Sequence, residues 1–258
     1  MTHTHLTVLT GASRGLGLAL AEQLLAPDRV LLCLSRHTHE ALAQQAAAKG
    51  AHLEQWVQDL ADTDEAAERL ARWLSTLHEP ELESVTLINN AGVIPTVAPL
   101  DQVPAHEVTR ALRVGLEAPM RLTGAFVGVT SRWVARGWRG VRKVLNISSG
   151  LGRHPMASQA SYCAAKAGLD HFSRCVALEA AQQPHGVRIV SLAPGVIDTD
   201  MQRHLRQGNP ETFPDIDRFA QLHRAGQLSD PARTAEQILK FLDRPDFGDA
   251  PVADIRDV

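Results

Sequence analysis

Residues 10–17, "TGASRGLG", follow directly on the apolar run 6–9 and open the apolar-rich stretch 16–25. Strand, glycine turn and helix in that order make a device for holding phosphate. Glycine is needed where a backbone must turn sharply and come close to a pyrophosphate. The anion's charge is then met by free N–H groups at the helix N-terminus. Gly11, Gly15 and Gly17 follow the spacing G-x-x-x-G-x-G, not the common G-x-G-x-x-G. The turn predicts a nucleotide-binding α/β fold whose first crossover begins here.

Outward from the turn, short apolar runs alternate with longer helical stretches. Strand-like runs recur at 30–34, 52–57, 85–88, 141–147 and 187–192. Helical stretches lie at 38–49 and near 63–77, 105–135, 160–182 and 231–242. Continuous apolar strands separated by helices predict a parallel sheet covered on both faces, and right-handed crossovers make it doubly wound. The chain is expected to be a single domain over 1–258, with a cofactor half of about 1–140 and a catalytic and substrate half of about 141–258. The segment 202–228, with "RQGNPETFPDID", breaks the rhythm with turn formers and is expected to form a lid over the substrate.

Composition limits the function. The chain has 258 residues, 44% hydrophobic and 21% charged, with a net charge of −3 and no basic run, which argues against nucleic acid or an anionic membrane as partner. No stretch approaches the roughly 20 apolar residues of a membrane span, and the start "MTHTHLTVLTG" lacks signal-peptide organisation, so a cytoplasmic protein is expected. Cys33, Cys163 and Cys175 form no C-x-x-C pair and read as reduced. The histidine pairs His3/His5 and His37/His39 are two residues apart, which does not share a helix face, so no metal site is expected.

Chemistry gathers at "SYCAAK", residues 161–166, which holds the chain's one tyrosine. Reduction of a carbonyl builds negative charge on oxygen, and a positioned acid must supply a proton as it develops. Tyr162 is the candidate acid. An ordinary tyrosine has a pKa of about 10, so a pKa near 7 would require a neighbouring cation. Lys166, at i+4 on the same helix face, can supply part of that field. Ser149, at the end of "VLNISS", can share the carbonyl oxygen. Its neighbour Ser148 points by strand alternation to the other side.

Four motifs in order, "TGASRGLG", "NNAG", a serine thirteen residues before a Y-x-x-x-K, and "PG" after the sixth strand, resemble those of the classical short-chain dehydrogenase/reductases over almost the whole chain. The resemblance implies a Rossmann-like sheet of about seven parallel strands and a catalytic set of Ser149, Tyr162 and Lys166, with Lys166 also holding the nicotinamide ribose. It implies pro-S hydride transfer. It places the cofactor on Gly11, Ser13, Arg14, Gly15, Leu16 and Gly17, on Asp59 and Leu60 beside adenine, and on Asn90, Ala91 and Gly92 beneath the adenosine ribose. Ile197 and Thr199 would clamp the carboxamide, with Pro194 and Gly195 as wall. At the end of the second strand stand Ser35 and Arg36, a hydroxyl donor and a guanidinium that suit a 2′-phosphate better than free ribose hydroxyls, so NADP(H) is expected. The resemblance puts Arg14 near the same phosphate.

One departure stands out. The family's asparagine in the helix after the fourth strand is matched by Gly115, which has no amide for a proton relay. This motivates one alternative, an NADP(H)-binding regulator or scaffold with impaired turnover; a separate one is a non-redox lyase or epimerase that uses Tyr162 as acid/base and the cofactor only transiently. Several stretches, among them "YCAAKAGLD" and "PGVIDTDMQ", look most like the sepiapterin reductase and benzil reductase branch. The substrate implied is a moderate-size ketone, diketone or pterin-like carbonyl compound lined by Ser149, Leu151, Met201 and Asp254. Apolar stripes at Val108, Leu112, Leu116, Met120 and Ala125, and at Ala165, Leu169, Phe172 and Val176, suggest a homodimer or homotetramer built on those helices.

Overall fold

In the computed structural model, which describes residues 4–257 (His3 lies outside them), strands β1 (His5–Thr10), β2 (Arg29–Ser35), β3 (His52–Val57), β4 (Ser84–Asn89), β5 (Val141–Ile147), β6 (Arg188–Ala193) and β7 (Val252–Asp254) form one parallel sheet in the order β3-β2-β1-β4-β5-β6-β7. This is the doubly wound, Rossmann-like sheet expected from the alternation. Successive residues of β2 show why its strands read as unbroken apolar runs. Leu31 and Cys33 point into a core with α1 (Gly15–Leu24), α2 (Glu40–Lys49) and α9 (Pro231–Leu242). Leu32 and Leu34 point into a second core with α3 (Thr63–Thr76) and α5 (Ala118–Ala135). Strand order reverses between β1 and β4. A parallel sheet leaves a crevice at the carboxyl ends of its strands at such a point.

The stretch 105–135 departs from a single regular helix. It runs as α4 (Ala105–Leu112), a π-helical turn over Arg113–Glu117, then α5. Two features of the chain account for the widened turn. Pro119 has no N–H to give to the carbonyl four residues back, which is that of Gly115. Gly115 also packs against α6 (Ala160–Ala181), where a Cβ would stand 3.1 Å from the Ala165 Cβ.

The second apolar stripe does not lie outward as a whole, because Ala165 and Leu169 are fully buried and Phe172 and Val176 pack on the second core. On these helices the exposed large apolar groups are Leu112 and Met120 of the first stripe, and Leu178 on α6. The segment 202–228 is more ordered than its turn formers suggest. It carries α7 (Asp200–Arg206) and α8 (Ile216–Arg224), fastened by a small core of Val97, Leu205, Phe213 and Phe219 in which the two phenylalanine rings stack. No helix among the described residues is long and apolar enough to cross a membrane.

Candidate active site

The glycine turn is held in place by Thr10 at the end of its own strand and by Ser35 and Asn90 at the ends of β2 and β4. Gly11 adopts φ +72°, which glycine tolerates without strain, and a Cβ on Gly17 would fall on the Gly11 carbonyl oxygen. The Asn90 amide donates to the carbonyls of Thr10 (3.0 Å) and Gly11 (3.2 Å), while the Thr10 hydroxyl accepts the N–H groups of Asn90 and Ala91 (3.0 Å each). The Ser35 hydroxyl accepts the Ala12 N–H at 2.8 Å and keeps its own proton for another acceptor. "TGASRGLG" and "NNAG" are thus two halves of one clamp across the switch point.

A cleft of about 610 Å³ opens above it. Every residue expected to hold cofactor or substrate lines it, whereas Gly115 does not: Gly11, Ser13, Arg14, Gly15, Leu16 and Gly17 on one side; Ser35, Arg36, Asp59 and Leu60 at one end; Asn90, Ala91 and Gly92 below; Ser149, Leu151, Tyr162 and Lys166 at the other end; and Pro194, Gly195, Ile197, Thr199, Met201 and Asp254 above them. Arg14 is the one whose surroundings differ from expectation. Its guanidinium reaches across to the Asp200 carboxylate at 3.1 Å, joining the glycine turn to the start of α7, and Arg36 stands exposed at the end of β2.

At the Ser149 end, the Tyr162 hydroxyl lies 4.0 Å from the Met201 sulfur, and the Ser149 hydroxyl accepts the Leu151 N–H at 3.2 Å. Lys166 donates to the Ile147 carbonyl at 2.7 Å, and its ammonium is 5.7 Å from the tyrosine ring centre. Burial pushes the Tyr162 phenol up to about 12, opposed by a hydrogen bond from Ser149. This reverses the lowering expected from Lys166, because the cost of burying a phenolate exceeds what its neighbours return. Burial also pulls Lys166 down to about 8, against the pull of Asp170.

Four cleft residues carried no readable signal. Arg110 of α4 grips both oxygens of Asp59 (2.8 and 3.1 Å). Burial pushes that carboxyl up, but the Ala61 N–H and Arg110 outweigh it and hold the group below the usual range. Arg256 grips both oxygens of Asp254 (2.8 and 2.6 Å). Arg218 and Leu222, a turn apart on α8, line the far end. Arg218 is an exposed and Leu222 a half-buried helix residue, and the other two are arginines paired by the fold, so only the completed chain path reveals them. Among the described residues, no three histidine, cysteine or acidic side chains gather as metal ligands.

The family model described as short chain dehydrogenase matches residues 5–210. A benzil reductase, (S)-benzoin forming, from Bacillus cereus is 33% identical, covering 93% of this chain and 94% of its own. A sepiapterin reductase from Bos taurus is 34% identical, covering 94% and 91%. Among solved structures, a metagenomic short-chain oxidoreductase in complex with NADP superposes with TM-score 0.71 at 26% identity, covering 98% and 95%. A 3-oxoacyl-[acyl-carrier protein] reductase from Brucella melitensis in complex with NAD superposes with TM-score 0.80 at 21% identity, covering 99% and 96%, a likeness of fold.

Proposed function

Because the chain belongs to the short-chain dehydrogenase family, an oxidoreductase family, we propose that it is an NADPH-dependent reductase of a moderate-size ketone or diketone, with Tyr162 as proton donor. The cleft suits a dinucleotide. Gly17 leaves space that any Cβ would fill, the turn opens α1, and among the described residues Arg36 has no hydrogen-bonded carboxylate while the Ser35 hydroxyl only accepts. Arg36 and Ser35 would hold a 2′-phosphate. Lys166 would hold the nicotinamide ribose. The bound cofactor supplies the hydride.

The observation that carries the reading is the buried phenol of Tyr162, kept protonated beside Ser149 at the end of the same cleft. Reduction needs an acid in its protonated form, and a phenol pushed up to about 12 holds its proton at any physiological pH. The Leu151 N–H fixes the Ser149 oxygen beside the phenol, and a bound substrate oxygen would take over the serine proton from Tyr162. Tyr162 then donates as negative charge grows on that oxygen. The phenolate left behind is stabilised by the Lys166 ammonium, and a lysine near 8 passes a proton on readily.

The pairing of Asp254 with Arg256 favours a diketone over a pterin. A carboxylate that recognises the amino group and ring N–H of a pterin accepts a pair of N–H donors, and here the Arg256 guanidinium competes for both oxygens. The benzil reductase relative points the same way. NADPH oxidation measured against diketones, quinones, aldehydes and pterins tests the reading. Turnover of diketones is expected. Tight NADPH binding with no turnover across the panel would favour the regulator motivated by Gly115. Assembly as a homodimer is part of the proposal, through the outer faces of α5 and α6 where Met120 and Leu178 are exposed. Light scattering showing only the 28.0 kDa chain would remove it.

A further inference from the structure

We propose that Asp170 is the positioning residue of this site: it holds the strand end that carries Ser149, the loop that carries Leu151, and Lys166 in one arrangement. The proposal rests on the carbonyl-reductase reading for the chemistry being positioned. Its geometry stands apart from that reading.

Asp170 is 2% exposed, one helical turn beyond Lys166 and two beyond Tyr162, on the same face of α6. A carboxylate so deeply buried persists only with its acceptor positions filled. One oxygen accepts the hydroxyls of Ser148 and Ser191, both at 2.6 Å, and the other accepts Arg153 Nε at 3.1 Å. Ser148 is the residue before Ser149, and Ser191 lies in β6 three residues before Pro194. Arg153 goes on to donate to the Ala253 carbonyl of β7 at 2.8 Å and stands 3.8 Å from Asp254. One carboxylate therefore fastens β5, β6, the loop 149–153 and, through Arg153, the strand that presents Asp254 to the cleft. The loop is pressed directly on α6. A Cβ on Gly152 would stand 2.9 Å from the Lys166 carbonyl and 3.2 Å from the Asp170 carboxylate. Ser148 thereby acquires a purpose complementary to that of Ser149. Strand alternation turns it to the far side of β5, where it anchors what its neighbour uses.

Asp170 also supplies the negative charge that faces the Lys166 ammonium, opposing the effect of burial. The groups around that ammonium are Asp170 and Tyr162 on α6, the Ile147 carbonyl from β5 and the Gly92 backbone from the loop after β4. Arg153 reaches it only through Asp170. Removing the charge of Asp170 lowers the pH at which Lys166 loses its proton.

The test compares Asp170→Asn, Ser148→Ala and wild type in NADPH affinity, thermal melting, kcat, KM and pH profile. Asp170→Asn keeps the shape and is expected to lower kcat at least tenfold with NADPH affinity within about threefold, and to move the alkaline limb of the profile to lower pH. Ser148→Ala is expected to lower kcat several-fold without moving that limb, a split that a merely structural residue would not produce. An Asp170→Asn enzyme with kcat within twofold of wild type and an unmoved limb overturns the proposal. If that variant does not fold, Ser148→Ala decides alone, and unchanged kcat overturns it. If no carbonyl is turned over, the reductase reading has failed separately. Titration of the Lys166 side-chain resonance in lysine-labelled protein, whose other lysines are Lys49, Lys143 and Lys240, then decides. A lower titration point in Asp170→Asn supports the proposal, and an identical one overturns it.

Discussion

The two ends of the cleft are built differently. At the glycine-turn end, backbone does the holding: Gly11, Gly15 and Gly17 shape the turn, and Asn90, Thr10 and Ser35 fix it with hydrogen bonds to main-chain atoms. At the α7–α8 end, side chains do it, through Met201 over Tyr162, Phe213 stacked on Phe219, and charge pairs of Asp200 with Arg14 and of Asp254 with Arg256. A pyrophosphate offers the same shape to every protein that binds it, so main-chain geometry suffices there. A substrate is recognised by whatever side chains fit it, and these leave no common pattern.

This contrast is easiest to break at Gly17. Gly17→Ala places a methyl group on the Gly11 carbonyl and against the Asn90 amide, so the turn must open. NADPH binding is expected to fall below detection by fluorescence titration, with overpacking costing about 1–3 kcal/mol of stability in denaturant melts. Binding within tenfold of wild type would mean that the turn does not cradle the phosphates. Arg36→Ala comes next in size. One charge-assisted contact is worth about 1.5–3 kcal/mol, so NADPH affinity is expected to fall roughly tenfold to a hundredfold while NADH affinity stays the same. Equal losses for both cofactors would contradict a phosphate role.

Apart from loss of the Tyr162 hydroxyl, effects at the other end are expected to be smaller and to depend on the substrate. The pH profile comes first. Lys166 is pulled below its ordinary value to about 8, so its ammonium is present below that pH and lost above it, and diketone reduction is expected to decline as pH rises through about 8. A flat profile from 6 to 10 would remove the lysine charge from the mechanism. Arg256→Ala frees both oxygens of Asp254 and is expected to raise kcat/KM for pterins relative to diketones by a few-fold. An unchanged ratio would show that this pair does not discriminate between substrates.

The same contrast decides how much could be read from the sequence. Short strand-like runs yielded six of the strands: five are largely buried parallel strands and so read as apolar runs, while β3, HLEQWV, is a half-exposed edge strand. β7 is only three residues long, Val252–Asp254, too short to show a period. The lid segment read as turns because "NPETFPD" carries two prolines, whereas α8 is held by Phe219 packing on Phe213 and Leu205, contacts that local pattern does not contain. At the site, every residue tied to a motif lies in the cleft. Arg110 and Arg256 went unseen because an arginine's partner is settled by the fold. Asp170 went unseen because its partners lie 17 to 22 residues away on three other segments. Gly115 was visible as a missing amide, but the π turn it shares with Pro119 appears only once α6 is packed against it.

The most direct measurement is NADPH oxidation on an aromatic diketone by wild type and by Tyr162→Phe, with NADPH affinity determined for both. Wild type is expected to consume one NADPH per hydroxyketone formed. The variant, which loses only a hydroxyl whose neighbours are Ser149 and the Met201 sulfur, is expected to bind NADPH equally well and to turn over at least about a hundredfold more slowly. A Tyr162→Phe enzyme that binds NADPH and reduces the diketone at the wild-type rate would contradict the assignment of Tyr162 as the proton donor.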